Sequence, residues 1–413
     1  MPTMYAGADW ADGWVDIALV RRDGERLGHR RITYTECLDP VEEYVDFLRE
    51  HNRTRWHTIP TAIEDPNLLF AQALDDRGLT VVHVSATRAA RARRGSTVGG
   101  DAKSDKEDAY LLADLLRTKA VPAQPVVRST PAARAIRVLA QAQRSAGGVR
   151  TRTLHHLRAC LISYYPAAVR AWPKLGLRHP QARAILAAAP SPRAAAALTR
   201  AQFAETLAGA GRWRTVDDEA ERLCLHFRRP ALRLHPTVEA ARTVEMLGLL
   251  EDVNRACHRA ETLARQAAEA FARHPHYRTI TSFPGIGDLI GSQLLGELGD
   301  NPHRFRDARA LCAYAGLTPV TWASGTSVRV SMRRSANTAL RVAFYQGAFS
   351  SLRHSTGANT YYRDRRKRGA THRTALRNLG ARYARALHHC LRHDQLYDEQ
   401  TAFPHTPTTA GIP

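Results

Sequence analysis

Residues 4–85 constrain the fold more than any other stretch of the chain. MYAGAD, WVDIALV and RLGHRRI, within residues 4–33, read as three short strands joined at Asp12-Gly13 and Asp23-Gly24, a meander signature. DPVEEYVDFLREH (39–51) has helical periodicity, and HTIPTAIE (57–64) is extended. NLLFAQALDDRG (67–78) is a second helix stopped at Gly78, and LTVVHVS (79–85) is a β-branched strand. A basic, glycine-bearing loop is expected from Arg88 to Asp101. With one more helix after it, the order βββαβαβα predicts an α/β domain over residues 1–125.

In that order the first and fourth strands lie side by side. Asp9 falls at the end of the first and Glu64 at the end of the fourth. DAKSDKEDAYLLADLL (101–116) opens the last helix, with Ser104 as cap and Glu107 reaching back, the capping-box pattern. Leu112, Leu115 and Leu116 form its apolar stripe, and Asp105 and Asp108 share that face. Acidic residues at a helix start also complement the helix dipole, a purely structural use. Packed across the two strands, however, this helix carries Asp105 and Asp108 to Asp9 and Glu64. Four carboxylates without neutralising bases repel one another. Hard divalent cations with oxygen ligands relieve that repulsion, and a pair of them suits in-line phosphodiester chemistry.

The charge balance points to the same class of substrate. Sixty basic residues stand against 39 acidic ones in 413 residues, a net charge of +21. Only five of the basic residues are lysines, which reflects a bias in the choice of base but not the excess itself. An excess of this size implies a polyanionic partner, most simply nucleic acid. Its spread along the chain argues against a membrane-surface role, and no run approaches the ~18 apolar residues of a membrane span. The N-terminus shows no basic region followed by an apolar one, and six scattered cysteines lack metal-ligand spacing. Both suit a cytoplasmic chain with reduced thiols.

Residues 126–275 are expected to be helical, with breaks at Pro166, Pro173, Pro180 and Pro190 and an elaboration around 175–215. From Met246 onward, Leu249, Val253, Ala256, Ala260, Leu263, Ala267 and Ala270 alternate by four and three. That heptad seam of small residues suits close helix pairing, within the chain or between copies.

Residues 276–395 form a further functional region. TSFPGIGDLIGSQLLGELGD (281–300) has a glycine turn opening a helix. Gly285 and Gly287 there allow either a phosphate contact or close helix packing. RFRDARALCAYAGL (304–317) is a short amphipathic helix ended by Gly316. TPVTWASGTSVRVSMRRSANTALR (318–341) reads as a loop crowded with hydroxyls and arginines. Ser324 beside Arg329, Arg333 and Arg334 has what phosphoryl transfer needs, a nucleophile and cations for developing charge. YYRDRRKRGATHR (361–373) offers Arg363, Arg365, Arg366, Lys367 and Arg368 to phosphates. Residues 396–413 read as a disordered tail. There is no Walker-type loop, no zinc-finger spacing and no convincing helix-turn-helix.

With these residues in view, the chain resembles the DEDD-type transposases of insertion-sequence family one-hundred-and-ten, bridge-RNA-guided recombinases. Two blocks carry the resemblance, residues 4–119 and 279–392. The first holds Asp9 in GADW, Glu64 after TAI, and AKSDKEDAYLLADLLRT; the second holds PGIG, RF-x-x-AR-x-L-x-AYAGL-x-P and the Ser-Gly pair. The resemblance implies an RNase H-like (RuvC-like) N-terminal domain in which Asp9, Glu64, Asp105 and Asp108 bind Mg²⁺ or Mn²⁺. It further implies a coiled-coil linker and a mainly α C-terminal transposase domain in which Ser324 attacks DNA. The implied partners are donor and target DNA, a non-coding guide RNA and further copies of the chain, as a dimer or tetramer through the coiled coil. Nucleoid association during activity follows from the same likeness. Two departures stand out: DPNLLF follows Glu64 where many members carry glycine, and Ser335-Ala336-Asn337 replaces a Gly-Asn pair, which keeps Ser327 as a fallback nucleophile. The expected function is an RNA-guided, site-specific recombinase that moves an insertion sequence. The alternative is a RuvC-like junction resolvase or nuclease with no covalent intermediate. A binding protein without catalysis would not need all four carboxylates.

Overall fold

The computed structural model describes residues 2–65, 68–96, 104–118, 129–173, 176–324, 327–333 and 335–404, without the side chains of 94–96 and 322–323. The chain divides into two compact units, residues 1–128 and 129–413.

The first unit holds β1 (Met4–Trp10), β2 (Trp14–Arg21), β3 (Arg26–Thr33), α1 (Pro40–His51), β4 (Thr61–Ile63), α2 (Leu69–Asp76), β5 (Val81–His83), α3 (Ala86–Ser96) and α4 (Asp105–Arg117). The sheet order is β3-β2-β1-β4-β5, antiparallel across the meander and parallel from β1 through β5. The first and fourth strands are therefore neighbours, with Ala6, Gly7 and Ala8 opposite Thr61, Ala62 and Ile63. Strand alternation sends Ala6, Ala8, Val15, Ile17 and Leu19 to one face, under Val45 and Leu48 of α1 and Phe70 and Leu74 of α2. Tyr5, Ala62 and Val82 face the other way, against Leu112, Leu115 and Leu116 of α4. Gly7 is the point of closest approach. A Cβ there would lie 2.0 Å from the Ala109 carbonyl oxygen and 2.6 Å from the Ala113 nitrogen, so only glycine lets α4 lie directly on β1.

Two local expectations are corrected here. The segment from Arg88 is helical to Ser96, because Ala89 is buried in the core on the α4 side and the Ala/Arg composition favours helix. Residues 97–103 lie outside the described residues. The capping box does not form: Ser104 is the N-cap but its side chain makes no capping bond. Glu107 instead takes two bonds from Arg26 on β3, at 2.9 and 2.7 Å. A bidentate ionic pair outweighs one bond to a backbone N–H.

The second unit consists of α5 (Pro131–Tyr164), α6 (Pro166–Ala171), α7 (Pro180–Ala188), α8 (Pro192–Ala197), α9 (Arg200–Gly209), α10 (Val216–Phe227), α11 (Pro236–Ala272), α12 (Tyr277–Thr281), α13 (Asp288–Leu298), α14 (Ala308–Tyr314), β6 (Pro319–Ser324), β7 (Ser327–Met332), α15 (Thr338–Ser351), α16 (Thr356–Lys367), α17 (His372–His393) and α18 (Glu399–Ala402). Proline opens α5, α6, α7, α8 and α11, a position where its missing N–H costs nothing; Pro166 and Pro180 thus start helices, and Pro166 follows directly on the end of α5. The long helices α5 and α11 run antiparallel for about 50 Å. Ile136 and Phe271 share a core at one end, Leu161 and Met246 another at the opposite end. Helices α6–α10 close the second of these cores, to which the elaboration contributes Phe203 and Leu207. On the heptad seam, Val253, Ala256, Ala260 and Ala267 are buried, and α11 packs chiefly on α5 of its own chain.

Residues 396–404, expected to belong to a disordered tail, are ordered against the second unit. Glu399 accepts from the Gly357 N–H at 2.6 Å and from Ser355, while Phe403 is buried with Arg382 over its ring. Residues 405–413 lie outside the described residues. Five of the six unpaired cysteines are buried and Cys37 is half-buried. Among the described residues no helix is long and apolar enough to cross a membrane.

Candidate active site

Because β1 and β4 are parallel and Ala8 pairs with Ile63, the next residues, Asp9 and Glu64, stand side by side where the two strands end. Alternation turns both toward the face that α4 covers. The first turn of α4 enters there, with Asp108 only 6 % exposed and Asp105 about half-buried.

Bases reach this cluster, which corrects the picture of four unneutralised carboxylates. Arg93 of α3 places Nε 2.6 Å from Asp108 Oδ1 and Nη2 3.8 Å from Glu64 Oε1. On the other flank stands Asp16 of β2, fully buried and directly opposite Asp9 in the ladder. Its carboxylate takes bonds from Arg31 at 3.1 and 2.7 Å and lies 2.6 Å from His29 Nε2. The Arg31 guanidinium, whose proton is held more tightly still by Asp16, also reaches to 3.7 Å from Asp105. Sequence reasoning missed Asp16, His29, Arg31 and Arg93. The one available signal was Asp16 itself, an acid in the apolar strand WVDIALV.

Among the described residues no three His, Cys, Asp or Glu side chains are gathered closely enough to hold an ion as they stand. The donor set nevertheless fits a hard divalent cation: carboxylates from two strand ends and one helix, and a guanidinium already bridging two of them.

Ser324 lies in the second unit, at the end of β6. The expected loop is a hairpin, because Val328, Val330 and Met332 alternate with polar residues at the period of a strand. Ser324 pairs with Ser327, both are exposed, and Ser327 Oγ donates to the Ser324 carbonyl at 3.0 Å. Gly325, Thr326 and Arg334 lie outside the described residues. Arg329 is exposed, whereas Arg333 buries its Nε without a partner among the described residues. The hairpin's foot is pinned at Asn337, whose N–H donates to the Tyr314 carbonyl at 2.8 Å. Asn337 Nδ2 donates to Glu297 at 2.8 Å, and Glu297, 4 % exposed, also holds Arg144 of α5 at 2.5 Å.

The remaining candidates are dispersed. Gly285, at φ 81°, would place a Cβ 2.4 Å from the Ser351 nitrogen, so it serves the packing of α15. Gly287 is the N-cap of α13 with open space around it. On α16 and just after it, Arg363, Arg366, Lys367 and Arg368 are exposed, while Arg365 lies over Tyr361 at 5.1 Å.

Two family profiles match the chain. Residues 6–166, which include all four carboxylates, match the DEDD transposases of IS110, and residues 277–363, which include Ser324, match the transposase IS116/IS110/IS902 family. Paired strand-end acids under a helix and a separate helical unit thus belong to a DNA transposase. Over 403 residues the chain is 40 % identical to the IS117 mini-circle protein of Streptomyces coelicolor, covering 97 % of each. It is 26 % identical to an IS110 protein of the same organism over 84 % of this chain and 85 % of the relative, and 26 % identical to an IS116 protein of Streptomyces clavuligerus over 95 % and 96 %. The chain belongs to the IS110 family of insertion-sequence transposases.

Proposed function

We propose that this transposase is an RNA-guided, site-specific recombinase that cuts and rejoins DNA through Ser324, assisted by a metal site built from Asp9, Glu64, Asp105 and Asp108. The observation that carries this reading is that Asp9 and Glu64 follow paired residues at the ends of adjacent parallel strands, with Asp108 of α4 linked to Glu64 through Arg93. We take the first unit as RNase H-like, a reading supported by its three antiparallel strands continued by two parallel ones. A divalent ion such as Mg²⁺ or Mn²⁺ supplies charge stabilisation at the scissile phosphate and the leaving oxygen.

The chain's own groups do the rest. Ser324 Oγ bonds to phosphorus as the bond from phosphorus to the leaving strand breaks. The departing oxygen takes up a proton, and the serine proton passes to water. A strand-end hydroxyl of the other DNA then attacks this phosphoserine, forms the new phosphodiester and returns Ser324 to its hydroxyl. The bond energy is conserved in the link, so no nucleotide is consumed. Arg329 and the exposed basic residues of α16 neutralise the backbones held nearby.

The test is a denaturing gel of protein incubated with a nicked or mismatched DNA junction. A covalent adduct is expected from the wild type and from Ser327→Ala, and none from Ser324→Ala. An adduct that persists in Ser324→Ala and disappears in Ser327→Ala transfers the role to Ser327. Recombination without any adduct favours a resolvase-like hydrolysis by water.

A further inference from the structure

We propose that Arg93 is the built-in counter-cation of the carboxylate site, bridging Glu64 and Asp108 in the metal-free protein and displaced when a divalent ion binds. The inference rests on the reading of these carboxylates as metal ligands.

Asp108 is nearly buried, and a buried carboxylate without a counter-charge is strongly unfavourable. Arg93 meets that need with a close bond to Asp108 while its far nitrogen reaches toward Glu64, so one guanidinium draws together acids from α4 and from the end of β4. It does so from α3, the helix that stands where a loop was expected. A guanidinium and a dication sharing the same oxygens would repel at short range, so the two compete for one place.

Arg31 makes the comparison informative. Its main partner is Asp16, held by three bonds of 2.7, 3.1 and 3.2 Å, and Asp105 lies at 3.7 Å. Asp16 is outside the ligand set, so Arg31 keeps its place when the ligands close on an ion. Arg93 has both of these partners inside the set and must release them.

Two consequences of opposite sign follow. Removing Arg93 destabilises the metal-free protein, because Asp108 and Glu64 lose their shared cation. The same change tightens divalent binding, because the ion no longer has a resident cation to displace. The experiment measures Mn²⁺ affinity of the full chain by electron paramagnetic resonance, together with its melting temperature with and without Mn²⁺. Arg93→Gln is expected to melt lower without metal and to bind Mn²⁺ about tenfold tighter, the factor matching one bond to a charged group. Arg31→Gln is expected to melt lower with no gain in affinity. Arg93→Lys, which keeps the charge but not the fork, is expected to fall between the wild type and Arg93→Gln, and serves if Arg93→Gln does not fold. Unchanged or weaker Mn²⁺ binding in a folded Arg93→Gln protein, or in Arg93→Lys if only that folds, overturns the displacement. Wild-type Mn²⁺ binding that survives Asp9→Asn and Asp108→Asn together overturns the metal reading itself, and the inference falls with it.

Discussion

Asn337 shows how much one side chain holds in place. Its Oδ1 caps α15 by accepting from the Leu340 N–H at 2.9 Å, while its Nδ2 satisfies the buried Glu297. Replacing it with alanine removes a helix cap, worth about 1 kcal/mol, and takes one of two close partners from a buried carboxylate. Asn337→Ala is therefore expected to cost about 2–3 kcal/mol in urea unfolding. It should also slow adduct formation at Ser324 more than it weakens DNA binding, because the foot of the hairpin loosens while the basic surface stays. Asn337→Asp, which keeps the cap but places a second carboxylate beside Glu297, should be no better. At this scale the positions of Asp9 and Glu64 at the ends of neighbouring strands, and of Asp105 and Asp108 in the first turn of α4, were legible in the sequence, because they follow from strand order and helix phase. Arg93 and Arg31 were not, since which base meets which acid depends on how closely separate elements approach, whereas Asp16 left its trace as an acid in an apolar strand.

Between elements, a buried polar knot joins the start of α5 to the turn after α13. Asp300 accepts from the Thr130 N–H at 2.9 Å and from the Thr130 hydroxyl, and His274 Nε2 lies 3.3 Å away. Burial lowers the His274 pKa below the ordinary histidine value, against the pull of Asp300. Burial alone would raise the Asp300 carboxyl, but the bonds from Thr130 and His274 hold it below the usual range. Both groups thus bind protons more readily in the unfolded chain, so stability falls with falling pH, first through the histidine range near 6.5 and again in the carboxylate range. Melting temperatures from pH 8 to 5 should show the first loss, and His274→Gln should flatten it relative to the wild type. Element type was mostly legible, because long periodic stretches such as residues 39–51 and 246–270 announce themselves. The hairpin at 319–332 was misread because its hydroxyls and arginines mask a valine alternation, and α3 because an arginine-rich segment looks solvated until Ala89 is seen buried.

For the molecule as a whole, the charge of +21 is the property that most governs its partners. Arginines on α16 and along the hairpin suit backbone contacts better than the reading of base edges. Under the function proposed above, the target is read by a nucleic acid that the protein carries, and this has a direct test. The protein purified at low salt is expected to retain a defined non-coding RNA, identified by sequencing, and to lose it steeply as salt rises. Recombination should stop on its removal and return on its restoration. Site-specific insertion by RNA-free protein would refute the guide while leaving the carboxylate and serine assignments standing.

The antiparallel pair α5 and α11 carries a separate core at each end. Their spacing is consequently set in steps, like teeth on a ruler. One residue added to α11 alone turns everything beyond it by about 100° and breaks the seam. Matched additions of about seven residues in both helices lengthen the pair by roughly 10 Å and keep the stripe in phase. Relatives that differ in the reach of this unit should therefore differ by paired heptads, with the loops and both cores left unchanged.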